Sequence, residues 1–201
     1  MRRVVLAVAI LALAMSTAAF ADTITITNEG GTISVSDAGL FSKGSRLMNY
    51  NGTSSGRTMG TVSFGTGAFS GHSLYSGGTF SSAGSYFDIY GAGGKYGAPK
   101  GVIFTGAFVG PITWTQIAPS GHQLGFELTG QLAGMLFNGH DATGSTTQIF
   151  WASNHQMGLG IGHITMGTTK LSSTPEPSTL GLLGTGLVGI AALFRPKKKS
   201  T

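Results

Sequence analysis

The chain has 201 residues, of which 41% are hydrophobic and only 9% charged, and its formal net charge is +5. The excess positive charge lies at the two ends, because residues 22–174 carry six Lys or Arg and six Asp or Glu. A neutral middle region releases no counterions from a phosphate backbone, so nucleic acid is excluded as a partner. Cysteine is absent, which excludes disulfides, thiol catalysis and cysteine metal ligands.

The first 21 residues have the three parts of a secretory signal peptide. Met1-Arg2-Arg3 gives a positive start, Val4–Met15 is an unbroken apolar segment, and Ala19-Phe20-Ala21 fits the small-residue cleavage pattern. We therefore expect a signal helix, export through the Sec machinery, and removal by signal peptidase. The mature chain is then expected to begin at Asp22.

Residues 22–173 are predicted to form one glycine-rich β domain. It opens with two alternating segments, Thr23–Thr27 and Thr32–Val35, on either side of the turn-like Asn28-Glu29-Gly30-Gly31. Strict alternation is typical of a half-buried strand, so this region predicts a β-hairpin. The buried face of that hairpin is expected to consist of Ile24, Ile26, Ile33 and Val35.

The remainder of the domain predicts further short strands. Residues 37–60 are interpreted as turns or a long loop, with turn signals at Asp37-Ala38-Gly39 and Asn49-Tyr50-Asn51-Gly52. The later strand candidates are Thr61–Phe64, a stretch around Thr79-Phe80, Tyr86–Tyr90, Gly101–Phe108, Pro111–Ile117, Gln123–Thr129, Leu132–Phe137, Gln148–Trp151 and Ile161–Met166.

Roughly ten short strands joined by glycine-rich turns predict an all-β fold, a single antiparallel β-sandwich or barrel. Helices are expected only at the two ends of the chain. Trp114 and Trp151 are interpreted as core residues. Sheet edges with few charges also favour self-association.

The metal and acid-base candidates are few. Five histidines stand at positions 72, 122, 140, 155 and 163, without the spacing of a zinc signature. Asp88 and Glu127 are the acids within strong strand patterns, and a glycan hydrolase needs two carboxylates across the scissile bond. Glu127 alternates with Phe126 and Leu128, which predicts an outward, solvated side chain. No catalytic residue, cofactor or metal site is assigned.

Tyr86, Asp88 and Tyr90 share one face of a predicted strand. Aromatic rings pack on the apolar faces of sugars, and a carboxylate accepts hydrogen bonds from hydroxyl groups. These three residues are therefore the candidate glycan-facing set. The alternative is an exposed polar face on which tyrosines merely cover the sheet.

The last 28 residues, 174–201, have the parts of a membrane-halted sorting tail. Pro175-Glu176-Pro177 precedes an uncharged segment, Thr179–Phe194, and then a basic end at 195–201. At about 1.5 Å per residue that segment reaches roughly 24 Å as a helix, a marginal membrane span. The cations after it place that end of the chain in the cytoplasm.

This tail resembles the PEP-CTERM sorting signal of Gram-negative bacteria. The resemblance rests on Thr174–Leu180, the Gly/Leu/Ala span and the basic terminus. It implies recognition by exosortase, a membrane transpeptidase-like enzyme, and processing near Pro175, Glu176 and Pro177. It also implies transient anchoring in the inner membrane, then a place at the outer surface or in the extracellular matrix. An anchor that is never cut is the alternative.

The sequence leaves three functions open. The first is an exported, non-enzymatic structural or interaction component of an exopolysaccharide or biofilm matrix. The second is a carbohydrate-binding module, and the third is a glycan hydrolase of β-sandwich type. The resemblance covers the tail alone, so the ligand of the β domain stays unassigned.

Overall fold

A computed structural model describes residues 23–93, 97–120, 123–153 and 161–173, which lie in a compact unit spanning Asp22–Ser173. The predicted signal segment and sorting tail lie outside the described residues. The strands are β1 Thr23–Glu29, β2 Thr32–Ser36, β3 Gly39–Tyr50, β4 Thr53–Ser54, β5 Gly60–Gly65, β6 Phe69–Ser73, β7 Gly77–Phe80, β8 Tyr86–Ala92, β9 Lys100–Ser120, β10 Gln123–Leu136, β11 Asp141–Ser153 and β12 Ile161–Ser173.

The sheet closes into a barrel. Its strand order is β10-β11-β12-β1-β3-β5-β8-β9, and β9 pairs again with β10, so eight antiparallel strands form a ring. The all-β prediction is confirmed, and of the two predicted architectures the barrel is the one present. Closure pairs both sides of each strand in the ring, but among the described strands β6 pairs only with β7 and β4 only with β3, so sheet edges remain outside the ring. Self-association through such edges stays a prediction.

The predicted hairpin at the start of the domain is wrong. β1 and β2 do not pair with each other; both pair with β12 and with β3, at successive positions along those strands. Gly30 and Gly31, with φ of 68° and 80°, form an interruption within one long strand, and the Gly30 amide donates to Ile164 O at 2.8 Å. A Cβ on Gly31 would lie 2.5 Å from Ser45 N, so the interruption between β1 and β2 requires glycine at this position.

Strand lengths also depart from the prediction of short strands. The expected loop at 37–60 contains β3, although its two turns are confirmed. β3 and β4 are joined by Asn51-Gly52, whose positive φ values suit a two-residue hairpin turn.

β9 and β10 each merge two predicted strands, so Gly110-Pro111 lies within a strand. At that point the partner of β9 changes from β8 to β7, which accommodates the missing proline N–H.

Aromatic side chains fill much of the barrel interior, as an eight-stranded ring requires. Trp114 stacks on Phe126 with ring centroids 4.7 Å apart, and Phe64 stacks on Phe87 at 5.4 Å. The Trp114 Nε1 donates to Leu74 O at 2.8 Å, so the N–H group of the buried indole has a hydrogen-bond acceptor. The four residues predicted to line the buried face of the first two segments are all buried.

One polar network lies inside this apolar interior. The Asn28 and Gln148 side-chain amides pair reciprocally: Asn28 Nδ2 donates to Gln148 Oε1 at 2.9 Å, and Gln148 Nε2 donates to Asn28 Oδ1 at 3.2 Å. Ser45 and Thr146 accept the remaining amide hydrogens at 2.7 and 2.9 Å. A side chain on Gly167 would overlap both amide oxygens, so glycine there makes room for the pair.

We predict that Gln148→Leu destabilises the domain by about 2–4 kcal/mol, because it leaves the buried Asn28 amide without its partner. Urea unfolding of residues 22–173 measures the loss. The matched control is Thr143→Ala, an exposed position on the same strand, with an expected change within about 0.5 kcal/mol. Equal midpoints for wild type and Gln148→Leu would contradict a stabilising role for the network.

Candidate functional site

The predicted glycan-facing residues lie together on the outside of the barrel. Along β8, Phe87 and Ile89 are buried in the interior. Tyr86, Asp88 and Tyr90 alternate with them and therefore face outward. Tyr86 and Asp88 are half-buried, whereas Tyr90 is 45% exposed.

Asp88 is held in place by a neighbouring strand. Thr105 lies opposite Asp88 in the β8–β9 register, and its Oγ1 donates to Asp88 Oδ1 at 2.7 Å. Among the described residues the other carboxylate oxygen has no hydrogen-bond donor. Asp88 is therefore an oriented acceptor on the outer face rather than a freely rotating carboxylate.

A second aromatic ring flanks Tyr86. Phe41 on β3, Gly65 on β5 and Tyr86 form one row across the sheet. A Cβ on Gly65 would lie 2.5 Å from Tyr86 Cε1 and 2.9 Å from Phe41 Cδ1, so both rings lie over the glycine. Phe41 is nevertheless 48% exposed.

Apolar side chains extend this face toward β10. Tyr90 lies opposite Val102, and Met135 lies opposite Thr105. Phe137 follows β10, and its amide donates to Ile103 O at 2.9 Å. We call the surface formed by Phe41, Tyr86, Asp88, Tyr90, Val102, Thr105, Met135 and Phe137 the outer strip.

The electrostatics of the outer strip keep the Tyr86 phenol protonated. Burial raises the pKa of Tyr86 above its ordinary value of 10.0, and the negative charge of Asp88 raises that pKa further. Tyr86 therefore offers a hydroxyl donor beside the Asp88 acceptor at neutral pH.

The two acids considered for hydrolysis are far apart. Asp88 lies opposite Thr105 of β9 and Glu127 lies opposite Thr115 of the same strand. At about 3.3 Å per residue these β9 positions are roughly 30 Å apart. Paired glycosidase carboxylates are at most about 9.5 Å apart, so Asp88 and Glu127 do not form such a pair. Glu127 is half-buried on the outward side of β10, between the buried Phe126 and Leu128.

The described histidines are dispersed. His72 is exposed on β6, His140 lies in the turn before β11, and the His163 Nδ1 is 3.2 Å from Gly31 O. His122 and His155 lie outside the described residues. Within residues 23–93, 97–120, 123–153 and 161–173, no three His, Asp or Glu side chains come close enough to hold a metal ion.

The two tryptophans differ in position. Trp114 is in the core, as predicted. Trp151 is not, because it is half-buried on the outer face of β11, between the inward Phe150 and Ala152. Its outward position follows from the alternation of β11.

Sequence reasoning missed most of the outer strip. Phe41 lay in a region predicted to be a loop, and nothing local links Thr105, Met135 or Phe137 to Tyr86. Their proximity depends on the register of four strand pairs, which alternation within one strand does not determine. The local signal, two tyrosines and an aspartate at every second position, identified the centre of the strip alone.

The described part of the chain is thus an all-β barrel domain with an aromatic outer strip. The family model of the PEP-CTERM protein-sorting motif matches residues 173–198, which confirms the resemblance of the tail and includes Pro175, Glu176 and Pro177. The motif marks a protein for export and membrane-associated sorting and implies exosortase as the processing enzyme. No curated protein and no solved structure matches the chain.

The segment predicted to enter the membrane, residues 179–194, lies outside the described ranges, as do the signal residues Ala19 and Ala21. Across the residues that the structure does describe, no helix is long and apolar enough to cross a membrane.

We predict that Asp88→Asn lowers the pKa of Tyr86 toward 10.0, because it removes the carboxylate charge and leaves burial as the remaining cause of the shift. Ultraviolet titration of the phenolate measures the change, and Tyr86→Phe identifies the transition that belongs to this residue. A Tyr86 titration unchanged by Asp88→Asn would show that the two groups do not interact.

Proposed function

We propose that this chain is an exported, non-enzymatic matrix protein, released after exosortase processing to serve as a structural or interaction component of an exopolysaccharide or biofilm matrix. The observation that carries the proposal is the position of the sorting motif. β12 ends at Ser173, and the matched motif spans 173–198. A cut near Pro175, Glu176 or Pro177 removes no part of the barrel.

The composition of the barrel suits work outside the cell. It contains no cysteine, so its folding needs no oxidant and no disulfide exchange. Residues 22–174 balance six positive with six negative side chains. A neutral domain enters a hydrated polysaccharide network without strong attraction to, or repulsion from, charged polymers.

The outer strip favours a second candidate, a carbohydrate-binding module. Exposed rings at Phe41 and Tyr90 supply stacking surfaces, and the fixed Asp88 carboxylate supplies an acceptor for sugar hydroxyls. Single exposed apolar residues need no explanation, but a contiguous patch marks a binding surface. A glycan hydrolase is less well supported, because the Asp88 and Glu127 positions lie too far apart to act together.

The sorting step is tested with a variant in which Pro175, Glu176 and Pro177 are all changed to Ala. In cells that contain an exosortase, we expect wild-type protein in the extracellular fraction with the mass of a chain cut near these residues. The variant is expected to stay in the membrane fraction with its tail attached. Mass spectrometry of both fractions makes the comparison.

A strain without exosortase provides the control, and wild-type protein there is expected to behave as the variant does. Tail-bearing wild-type protein in the extracellular fraction, or full-length protein in the cytosol with its signal segment attached, would rule out the proposed route.

The carbohydrate-binding candidate is tested with Tyr86→Ala/Tyr90→Ala, measured by affinity electrophoresis in gels that contain polysaccharide from the producing cells. Loss of two stacked rings is expected to weaken retardation at least tenfold, since each ring contributes roughly 1 kcal/mol or more. Tyr75→Ala, which removes a 41% exposed ring away from the strip, is the matched control. Equal retardation of all three proteins would reject the strip as a glycan site.

A further inference from the structure

A second surface, separate from the outer strip, has the form of a ligand site. A shallow depression of about 270 Å³ lies on the outer face where β9, β10 and β11 run side by side. No charged side chain lines it. The lining residues are Pro111, Thr113, Thr129, Gly130, Gln131, Ser145, Thr146 and Thr147.

The depression is produced by an irregularity in β9. Gly110 has a φ of 72°, and the β9–β10 register shifts between the Thr113–Thr129 and Val109–Gln131 pairs. The shift inserts extra β9 residues, so the strand bends and the exposed Pro111 forms one wall. Gly130 is turned inward, where a Cβ would meet the Phe108 ring, and so it contributes backbone to the floor.

The hydroxyl groups around the depression are in register. Thr113, Thr129 and Thr147 lie opposite one another on three neighbouring strands, and the row continues through Thr168 on β12 to Thr27 on β1. Adjacent strands place these residues about 4.8 Å apart. Among the described residues none of the five hydroxyl groups has a hydrogen-bond partner, so each is available to a ligand as donor and acceptor.

An aromatic ring lies on the same face. Trp151 is four residues from Thr147 along β11, about 13 Å at the rise of an extended strand. A Cβ on Gly125 would lie 3.2 Å from Trp151 Cη2 and 2.5 Å from Ile117 Cγ1. The tip of the indole therefore lies over Gly125 beside Ile117, and the Trp151 side chain is half-buried on the outer face.

We infer that this face binds a neutral polysaccharide, with one sugar ring in the depression and another stacked on Trp151. The lining itself offers a charged ligand no counter-charge, and the exposed Lys170 lies outside it, opposite Ser145 on β12. Sugar hydroxyls exchange water for threonine and glutamine partners at little net cost. The inference deepens the proposed matrix role, since it names a ligand class for the exported domain, and it does not depend on the outer strip.

The test is affinity electrophoresis of the purified full chain, held in a detergent that lacks a sugar headgroup. The probes are hydroxyethylcellulose and dextran as neutral polymers and alginate as an acidic one. We expect retardation by at least one neutral polymer. Thr129→Val/Thr147→Val, which keeps side-chain shape and removes two hydroxyl groups, is expected to weaken that binding about tenfold, the effect of two ordinary hydrogen bonds. Trp151→Ala is expected to weaken it to a similar extent.

Thr165→Val, an exposed threonine of β12 outside the depression, is the matched control and is expected to migrate as wild type does. Retardation in alginate alone, or neutral-polymer binding that neither the double variant nor Trp151→Ala reduces, would overturn the inference. The proposed function fails separately: a chain that is correctly exported and processed but not retarded contradicts only the neutral-polysaccharide site. A chain that is retarded but never processed contradicts only the proposed route.

Discussion

Pairing of β9 with β10 is the constraint on which the rest of the structure depends. Without it the eight-stranded ring would be an open sheet with two edges, and one whole face of aromatic side chains would meet water. With it, Trp114 stacks on Phe126 and packs against Phe150 within a closed interior, where the Asn28–Gln148 network is the main polar feature among the described residues. The outer strip and the hydroxyl-lined depression both lie on strands that this closure brings together.

Closure alone does not choose a register, and the buried polar network supplies that choice. A slip of one residue would turn the apolar face of a strand outward, whereas a slip of two residues keeps it inward and exchanges one apolar contact for another at modest cost. The Asn28–Gln148 amide pair changes this, because a slip would leave its donors and acceptors buried and unpaired. Gly167 keeps the space that the pair occupies. The network thus links β1, β11 and β12 in one alignment.

Features that depend on a single strand could be predicted from the sequence, whereas features that depend on pairing between strands could not. Alternation correctly assigned Ile24 and Ile33 to a buried face and grouped Tyr86 with Asp88 on one face, since each assignment depends on a single strand. The turns predicted at glycines were only partly right, because a glycine can either end a strand or interrupt it. Gly52 ends a strand at a hairpin turn, whereas Gly30 and Gly110 let a strand bend and continue. Only the partners on either side distinguish these cases, and partners are set by register. For the same reason Tyr86, Asp88 and Tyr90 could be identified from the sequence, but the residues of the outer strip on or next to β3, β9 and β10 could not.

The first and last strands of the barrel are neighbours: Thr23 lies opposite Ser172, with their hydroxyl oxygens 3.5 Å apart. A chain that crosses a membrane from its amino end therefore has β1 outside early, while the strand that must lie beside it emerges last. The ring cannot be completed during most of translocation, and its slowest contacts are the ones of greatest sequence separation. A pause of the polypeptide just after Ser173 would give that final strand time to dock before release.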